Sequence, residues 1–153
     1  MKTNTYADKV DYWKTGSSRS PMQWLDNAVK QLKDHGATDI VIAQGGQGGR
    51  EVFMLQFTLR GMKHKVVWPV LPLSMHVKDT ESNLNAARRQ AATSLYHDVK
   101  ARCVAATRYG DRFGFFQFQL LPDGRTIQEC SLPELSEGLP KLMSPADAGH
   151  LTG

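Results

Sequence analysis

Cysteines and long apolar runs are scarce in this sequence of 153 residues, which contains Cys103 and Cys130 and no continuous apolar segment of membrane-spanning length. A bilayer requires roughly 18–20 consecutive apolar residues, and the N-terminus has no apolar signal core. We therefore expect no membrane association and no export, and a reduced, cytosolic location. Neither the two cysteines nor the five histidines show metal-type spacing, so we predict no metal or other cofactor.

Acidic residues are unevenly distributed along the chain. Residues 1–112 contain 17 basic and 10 acidic side chains, a net charge of +7, whereas residues 113–153 contain 2 and 5, a net charge of −3. Hydrophobic residues make up 41 % of the sequence, which is enough for a buried core. We expect one domain over residues 20–143 with a basic body, and a disordered tail over residues 144–153.

Catalytic motifs are also missing. No Gly-x-Ser-x-Gly sequence occurs, no pair of acidic residues stands out, and the glycine-rich stretch 44–49 lacks the Lys-Ser/Thr that completes a phosphate-binding loop. A non-enzymatic role is therefore favoured, although the sequence leaves catalysis open.

The first predicted helix follows a polar segment, residues 1–19, that we expect to be flexible. Ser20 as N-cap, Pro21 at the first helical position and Gln23 as the second half of a capping box predict where this helix begins, and Gly36 predicts its end.

Three strands are predicted next, over residues 39–43, 51–60 and 66–70. The glycine-rich stretch connects the first two. In the second, Phe53, Leu55, Phe57 and Leu59 alternate with Met54, Gln56, Thr58 and Arg60, which marks it as half-buried. Pro69 cannot donate a ladder hydrogen bond, so the third strand is predicted to lie at the sheet edge.

A long helix is predicted from near Thr80 to Tyr109. Its apolar stripe comprises Leu84, Ala87, Ala91, Leu95, Val99, Cys103 and Ala106. Arg88 and Arg102 lie on the same stripe, which indicates structural roles, and Arg102 is placed to pair with Asp98 one turn earlier.

A second hairpin is predicted after Gly110, with strands over 113–121 and 126–130, and residues 132–142 are compatible with a short helix. The element order α-β-β-β-α-β-β predicts a single α+β domain, with a mostly antiparallel sheet packed on a long helix.

Basic and aromatic side chains form the candidate site, since basic residues neutralise phosphates and aromatic rings stack on bases. The predicted nucleic-acid-binding residues are Arg50, Arg60, Lys63, Lys65, Arg89, Lys100, Arg108, Arg112, Phe113 and Phe115. The segment Phe113-Gly-Phe-Phe-Gln-Phe118 resembles the second half of the RNP1 motif of RNA-recognition and cold-shock domains, which implies base stacking. A strand buried on both faces is the alternative.

Two further resemblances are short. The α-β-β-β-α order is similar to that of a double-stranded RNA-binding domain, which implies that Arg88-Arg-Gln-Ala-Ala contacts phosphates. Gly45-Gly46-Gln47 resembles the tripeptide of peptide-chain release factors, which implies peptidyl-tRNA hydrolysis with Gln47 assisting water. A glycine-rich turn is the alternative.

The broadest resemblance covers about a third of the chain and is to a family of small phage and prophage proteins. It rests on Arg88-Arg-Gln90, Leu95, Val99-Lys-Ala101, Gly110, Phe115, Phe118, Leu121-Pro-Asp-Gly-Arg-Thr126, Glu129, Pro133, Gly138, Pro140 and Leu142. It implies DNA replication or recombination, or inhibition of a host defence, without naming an activity.

Three hypotheses follow. The first is a phage-type accessory protein that binds nucleic acid. The second is a protein-interaction module, such as an inhibitor of a host system or a homo-oligomer, that uses the edge strand at 66–70 and the aromatic segment at 113–118. The third, more remote, is a hydrolase that uses Gln47.

Overall fold

The computed structural model describes residues 5–14, 19–47 and 49–130, with the side chain of Gln47 excepted. Its elements are α1 (Pro21–Asp34), β1 (Thr38–Gln47), β2 (Arg50–Leu59), β3 (Met62–Pro69), α2 (Glu81–Tyr109) and α3 (Asp111–Phe115), with 3-10 turns at Ala7–Lys9 and Phe116–Phe118. The strands form an antiparallel sheet in the order β1-β2-β3. The α+β class and the order of one helix, three strands and a long helix are confirmed.

α1 begins at its predicted cap, and α2 begins directly after Thr80, near which its start was predicted. The Ser20 hydroxyl accepts a hydrogen bond from the Gln23 backbone N–H at 3.2 Å, and the Gln23 side chain accepts one from the Ser20 N–H at 2.7 Å. The Thr80 hydroxyl caps α2 in the same way by accepting from the Asn83 N–H at 3.2 Å. α2 ends at Gly110, whose φ of +101° favours glycine. The capping box and the limits of the long helix are confirmed.

One hydrophobic core joins both long helices to a single face of the sheet. Its members include Phe53, Leu55, Phe57 and Leu59 of β2, Leu25, Ala28 and Leu32 of α1, and Ala87, Ala91, Leu95, Val99, Cys103 and Ala106 of α2. The alternation in β2 and most of the predicted stripe in α2 therefore identify the core correctly, while Leu84 of that stripe is only half-buried.

The glycine-rich stretch forms less of a turn than the sequence predicts. β1 extends through it, so that Gly45 pairs with Val52 and Gly46 pairs with Glu51. Glycines keep extended backbone accessible, and the antiparallel partner β2 supplies the ladder hydrogen bonds.

Residues 5–14, which belong to the segment predicted to be flexible, pack against the domain. Ala7 is fully buried and donates its N–H to the Pro72 carbonyl at 2.8 Å. The buried amide of Gln90 donates to the carbonyls of Ala7 and Asp11, both at 2.8 Å. The predicted tail at 144–153 and the short helix at 132–142 lie outside the described residues.

The prediction of a strand over residues 113–121 is wrong for its first half. Residues 111–115 form α3 and residues 116–118 form a 3-10 turn. Phe115 and Phe118 are both buried, and a spacing of three places them on one side of a helical turn but on opposite faces of a strand.

Only the turn end of the predicted hairpin is present in the structure, as one isolated bridge. Leu120 forms an isolated antiparallel bridge with Thr126, and the Leu121 N–H donates to the Arg125 carbonyl across the turn at 2.7 Å. The Leu120 N–H donates to the Lys63 carbonyl at 2.9 Å, which covers the first half of the outer edge of β3. The edge position of β3 is confirmed, with Pro69 as its last residue.

The two arginines on the apolar stripe are structural, as predicted. Arg88 forms ion pairs with Glu51 at 2.8 Å and with Glu81 at 3.2 Å. Arg102 pairs with Asp98 at 2.7 Å, donates to the Gly114 carbonyl at 3.0 Å and lies over the Phe118 ring at 4.4 Å. Arg102 thereby fixes the chain that follows α2 onto that helix.

Candidate functional site

Four of the predicted basic residues lie at one end of the molecule, where β2 turns into β3 and α2 leads into α3. We call this group, Arg60, Lys63, Arg108 and Arg112, the basic end. Arg60 and Arg112 line the same cavity of about 120 Å³ beside His64. Lys63 lines a neighbouring cavity that also reaches His64.

Asp111 organises this end of the molecule. Its carboxylate accepts a hydrogen bond from His35 Nε2 at 2.9 Å and pairs with the Arg60 guanidinium. Partial burial raises the pKa of Asp111, but the hydrogen bonds from His35 and Arg60 outweigh it, so the pKa lies below its ordinary value. Asp111 is therefore ionised at neutral pH and joins α1, β2 and α3. The sequence alone did not indicate this role, because the three residues are far apart in the chain.

Arg108 and Arg112 are the two arginines of the basic end that form no ion pair with a described carboxylate. Both are exposed. Arg108 lines a cavity with His35 and Cys103. Among residues 5–14, 19–47 and 49–130, no carboxylate lies within ion-pair distance of either guanidinium. Their charges are thus not compensated by a bound carboxylate of the described chain.

An exposed pair of aromatic rings stands beside these arginines. Phe113 is 72 % exposed and Tyr109 is 65 % exposed, and their ring centroids lie 5.8 Å apart with the planes tilted by 58°. Sequence reasoning missed Tyr109. Gly110 ends α2 between the two residues, so their contact depends on how α3 packs on α2, and no local pattern in the sequence indicates it.

Phe115 does not belong to any exposed surface, which corrects the prediction that it binds nucleic acid. It is 1 % exposed and packs edge-on against Phe57, with ring centroids 5.7 Å apart. The His35 ring lies at the same distance, tilted by 43°. The expectation that Phe113 and Phe115 share a face fails because the segment is helical. The RNP1 resemblance loses its structural basis for the same reason.

The other predicted basic residues lie outside the basic end. Arg50 begins β2 and is at the opposite end of that strand from Arg60. Lys65 pairs with Glu129 at 3.1 Å and donates to the Gly124 carbonyl at 3.4 Å. Arg89, half-buried, and Lys100, exposed, belong to α2 before its last two turns. These four residues are not gathered with the basic end.

The structure places the residues of the two short resemblances as follows. Arg88, placed at phosphates by the resemblance to double-stranded RNA-binding domains, is engaged by two carboxylates. Gly45 and Gly46 of the Gly-Gly-Gln tripeptide belong to β1 and not to a loop. Hydrolysis through Gln47 stays a prediction.

His64 lies just below the basic end and is buried. Its ring stacks on Phe57, with centroids 5.1 Å apart and planes within 3°, and its Nδ1 donates to the Met62 carbonyl at 2.9 Å. Burial lowers the pKa of His64, while the Met62 hydrogen bond and the charge of Asp111 oppose the shift. The neutral imidazole is therefore the form that fits the folded protein.

We expect the free energy of unfolding to fall as the pH drops through about 6.5, because the unfolded chain then protonates His64 and the folded chain does not. Above that pH both states are neutral and the stabilisation is complete. Urea unfolding at about pH 7.5 and about pH 5.5 measures the difference. His64→Phe should reduce it, whereas His76→Asn, which removes an exposed histidine, should leave it unchanged. An equal loss in wild type and His64→Phe would contradict this assignment.

The thiol of Cys103 is not an activated nucleophile. Burial, aided by the charge of Asp111, raises its pKa to about 11, and its Sγ lies 3.7 Å from the Gln31 carbonyl. The prediction of a small buried residue is confirmed for Cys103. Within the described chain, no three His, Cys, Asp or Glu side chains gather as a metal site. None of the helices between residues 5 and 130 is long and apolar enough to cross a bilayer.

A cavity of about 380 Å³ lies away from the basic end, among Val10 of the N-terminal segment, β3, α2 and the chain that follows α3. Its walls include Trp68 and Phe118, and its charged group is Arg102, which is already engaged by Asp98 and Gly114. The cavity thus offers apolar volume without an available charge.

Comparison of the chain with protein-family models, with curated proteins and with solved structures finds no match. The residues of the basic end and the sequence resemblances are therefore the basis for inferring a function.

Proposed function

We propose that this protein binds nucleic acid through the basic end, as a phage-type accessory protein of DNA replication or recombination. One observation carries the proposal: Arg108 and Arg112 stand exposed, with no described carboxylate within ion-pair distance, beside two exposed aromatic rings. Guanidinium groups bind phosphate oxygens through paired hydrogen bonds. The phage setting comes from the resemblance over residues 88–142.

Electrostatics favours a phosphate ligand at this end. Arg60 and Lys63 extend the positive surface, although Asp111 neutralises Arg60 in part. The excess of +7 over residues 1–112 adds a long-range field that attracts polyanions. Scattered basic residues are common on soluble proteins. What sets the basic end apart from an ordinary surface is therefore that its basic residues lie together, and not the total charge of the chain.

The double substitution Arg108→Gln/Arg112→Gln is expected to weaken binding to an oligonucleotide and to make the negative slope of log K against log salt shallower by roughly 0.7–0.9 for each phosphate contact removed. Fluorescence anisotropy of a labelled oligonucleotide between about 50 mM and about 200 mM salt measures both. The slope becomes shallower because fewer counterions are released when the variant binds.

Lys9→Gln/Lys78→Gln is the matched control, because it removes the same charge from exposed positions away from the basic end. Lys78 precedes α2, whose length of 29 residues separates the two regions by roughly 40 Å. Equal losses in the two double variants would show non-specific charge attraction, and affinity independent of salt would refute the proposal.

A second candidate, a protein-interaction module, is favoured by β1, which forms the edge of the sheet opposite β3. Within the described residues β1 pairs with β2 alone, contains no Lys, Arg or Pro, and presents Val41 54 % exposed. Edge strands without such protection are typical sites for pairing with another chain.

A further inference from the structure

The exposed rings of Tyr109 and Phe113 are held in place by structure on both sides. Gly110, with its φ of +101°, ends α2 directly after Tyr109 and redirects the chain into α3. Phe115 anchors α3 in the core, and the Gly114 carbonyl accepts a hydrogen bond from Arg102 at 3.0 Å. The rings therefore project from a fixed base, which lowers the entropic cost of binding a ligand on them.

Two large rings that remain this exposed present π-faces to solvent. Their 58° tilt and 5.8 Å separation rule out a closed sandwich, so a planar ligand has access to each ring. Every nucleobase has a π-face, and stacking on an aromatic side chain does not depend on which base it is. The pair has the chemistry of a stacking platform.

Charge complementarity selects the ligand that uses this platform. Arg108 and Arg112 directly precede Tyr109 and Phe113 in sequence, so each ring has a guanidinium as its neighbour along the chain. In a duplex the base faces are covered by neighbouring pairs, whereas a single strand exposes them beside its phosphates. We infer that the Tyr109–Phe113 pair binds unpaired bases, which makes single-stranded nucleic acid the ligand of the basic end. This inference rests on the proposed function.

The test compares a single strand with a duplex. Tyr109→Leu/Phe113→Leu keeps apolar side chains but removes both π-faces. Its affinity for a thymidine oligonucleotide of about 15 nucleotides should fall roughly fivefold or more per stack lost, with duplex affinity unchanged. Wild type should bind the single strand more tightly than the duplex at about 200 mM salt. An equally long uridine oligonucleotide distinguishes RNA from DNA as the source of the bases.

Two controls distinguish base stacking from association of the protein with itself. Phe113→Trp should keep the affinity of wild type, because tryptophan supplies a larger π-face. Light scattering of wild type and the leucine variant reports the oligomeric state of each. If the leucine variant changes the oligomeric state, the rings form a protein contact and the inference is overturned.

The remaining outcomes test base stacking by the ring pair separately from nucleic-acid binding by the basic end. Unchanged single-strand affinity in the leucine variant, with weakened binding in Arg108→Gln/Arg112→Gln, would overturn the inference and leave the proposed function standing. Absence of binding to any of the three oligonucleotides would remove both.

Discussion

Replacing Gly114 with alanine should lower the free energy of unfolding by about 2–3 kcal/mol. A Cβ at this position would lie 2.5 Å from the Arg102 carbonyl oxygen and 3.0 Å from the Ala106 Cβ. Both belong to α2, and the carbonyl is backbone, so neither can move aside as a flexible side chain does. Relief requires α3 to shift away from α2, which weakens the packing of Phe115 beneath it. Urea unfolding followed by circular dichroism measures the loss.

Gly45→Ala is the matched control for this change. A Cβ at Gly45 would meet no described atom within 4 Å, and the residue lies in extended backbone. Alanine is favoured over glycine in a strand because it loses less backbone entropy on folding, so we expect Gly45→Ala to stabilise the protein by about 0.5–1 kcal/mol. Equal destabilisation by the two substitutions would show that contact between α3 and α2 is not the cause.

Contact between α3 and α2 also determines the geometry of the candidate site. α3 begins at Asp111, which joins His35 and Arg60, and it presents Phe113 outward beside Tyr109. A glycine at position 114 thus permits the close approach on which the ring pair and the basic end both depend.

Local signals were sufficient for α1, α2 and β2. Ser20 and Gln23 form a cap within four residues, and the alternation in β2 or the stripe along α2 repeats often enough to identify the buried side. Such patterns arise from the period of one element, so the sequence contains them without knowledge of the neighbours.

The segment after Gly110 was not predictable in this way. Phe113, Phe115, Phe116 and Phe118 satisfy two periods over a short stretch, and a five-residue helix has too few turns to decide between them. The decision is made by tertiary contact, since Gly114 fits against Arg102 and Phe115 enters the core beside Phe57.

Prediction of the candidate site was partial for a related reason. Composition identified the basic residues, but which of them converge depends on how β2 and α2 end at the same side of the domain. Arg60 and Arg112 meet there, while Lys65 is engaged by Glu129 and Arg50 is at the other end. The contact of Tyr109 with Phe113 likewise depends on how α3 packs on α2 after the break at Gly110.

Phe115→Ala should destabilise the protein by about 3–5 kcal/mol, the usual cost of truncating a buried phenylalanine. Its ring is 1 % exposed and fills the space between Phe57, His64 and His35, at centroid distances of 5.7, 6.4 and 5.7 Å. None of these neighbours can close the resulting cavity without leaving the sheet or α1. Urea unfolding measures the effect. Neutral pH is chosen because protonation of His64 then contributes little to the free energy of unfolding.

Phe113→Ala makes the same chemical change two residues earlier and should cost about 0.5 kcal/mol or less, because that ring is 72 % exposed. In a strand, residues 113 and 115 would share one face and the two substitutions would cost similar amounts. In the helix α3 they point to opposite environments, one in the core and one in solvent. Comparable losses in the two variants would contradict α3 and, with it, the exposed ring pair. If this contrast is found, Phe115 is the residue that stabilises the segment, and the exposed ring of Phe113 is free to bind a ligand.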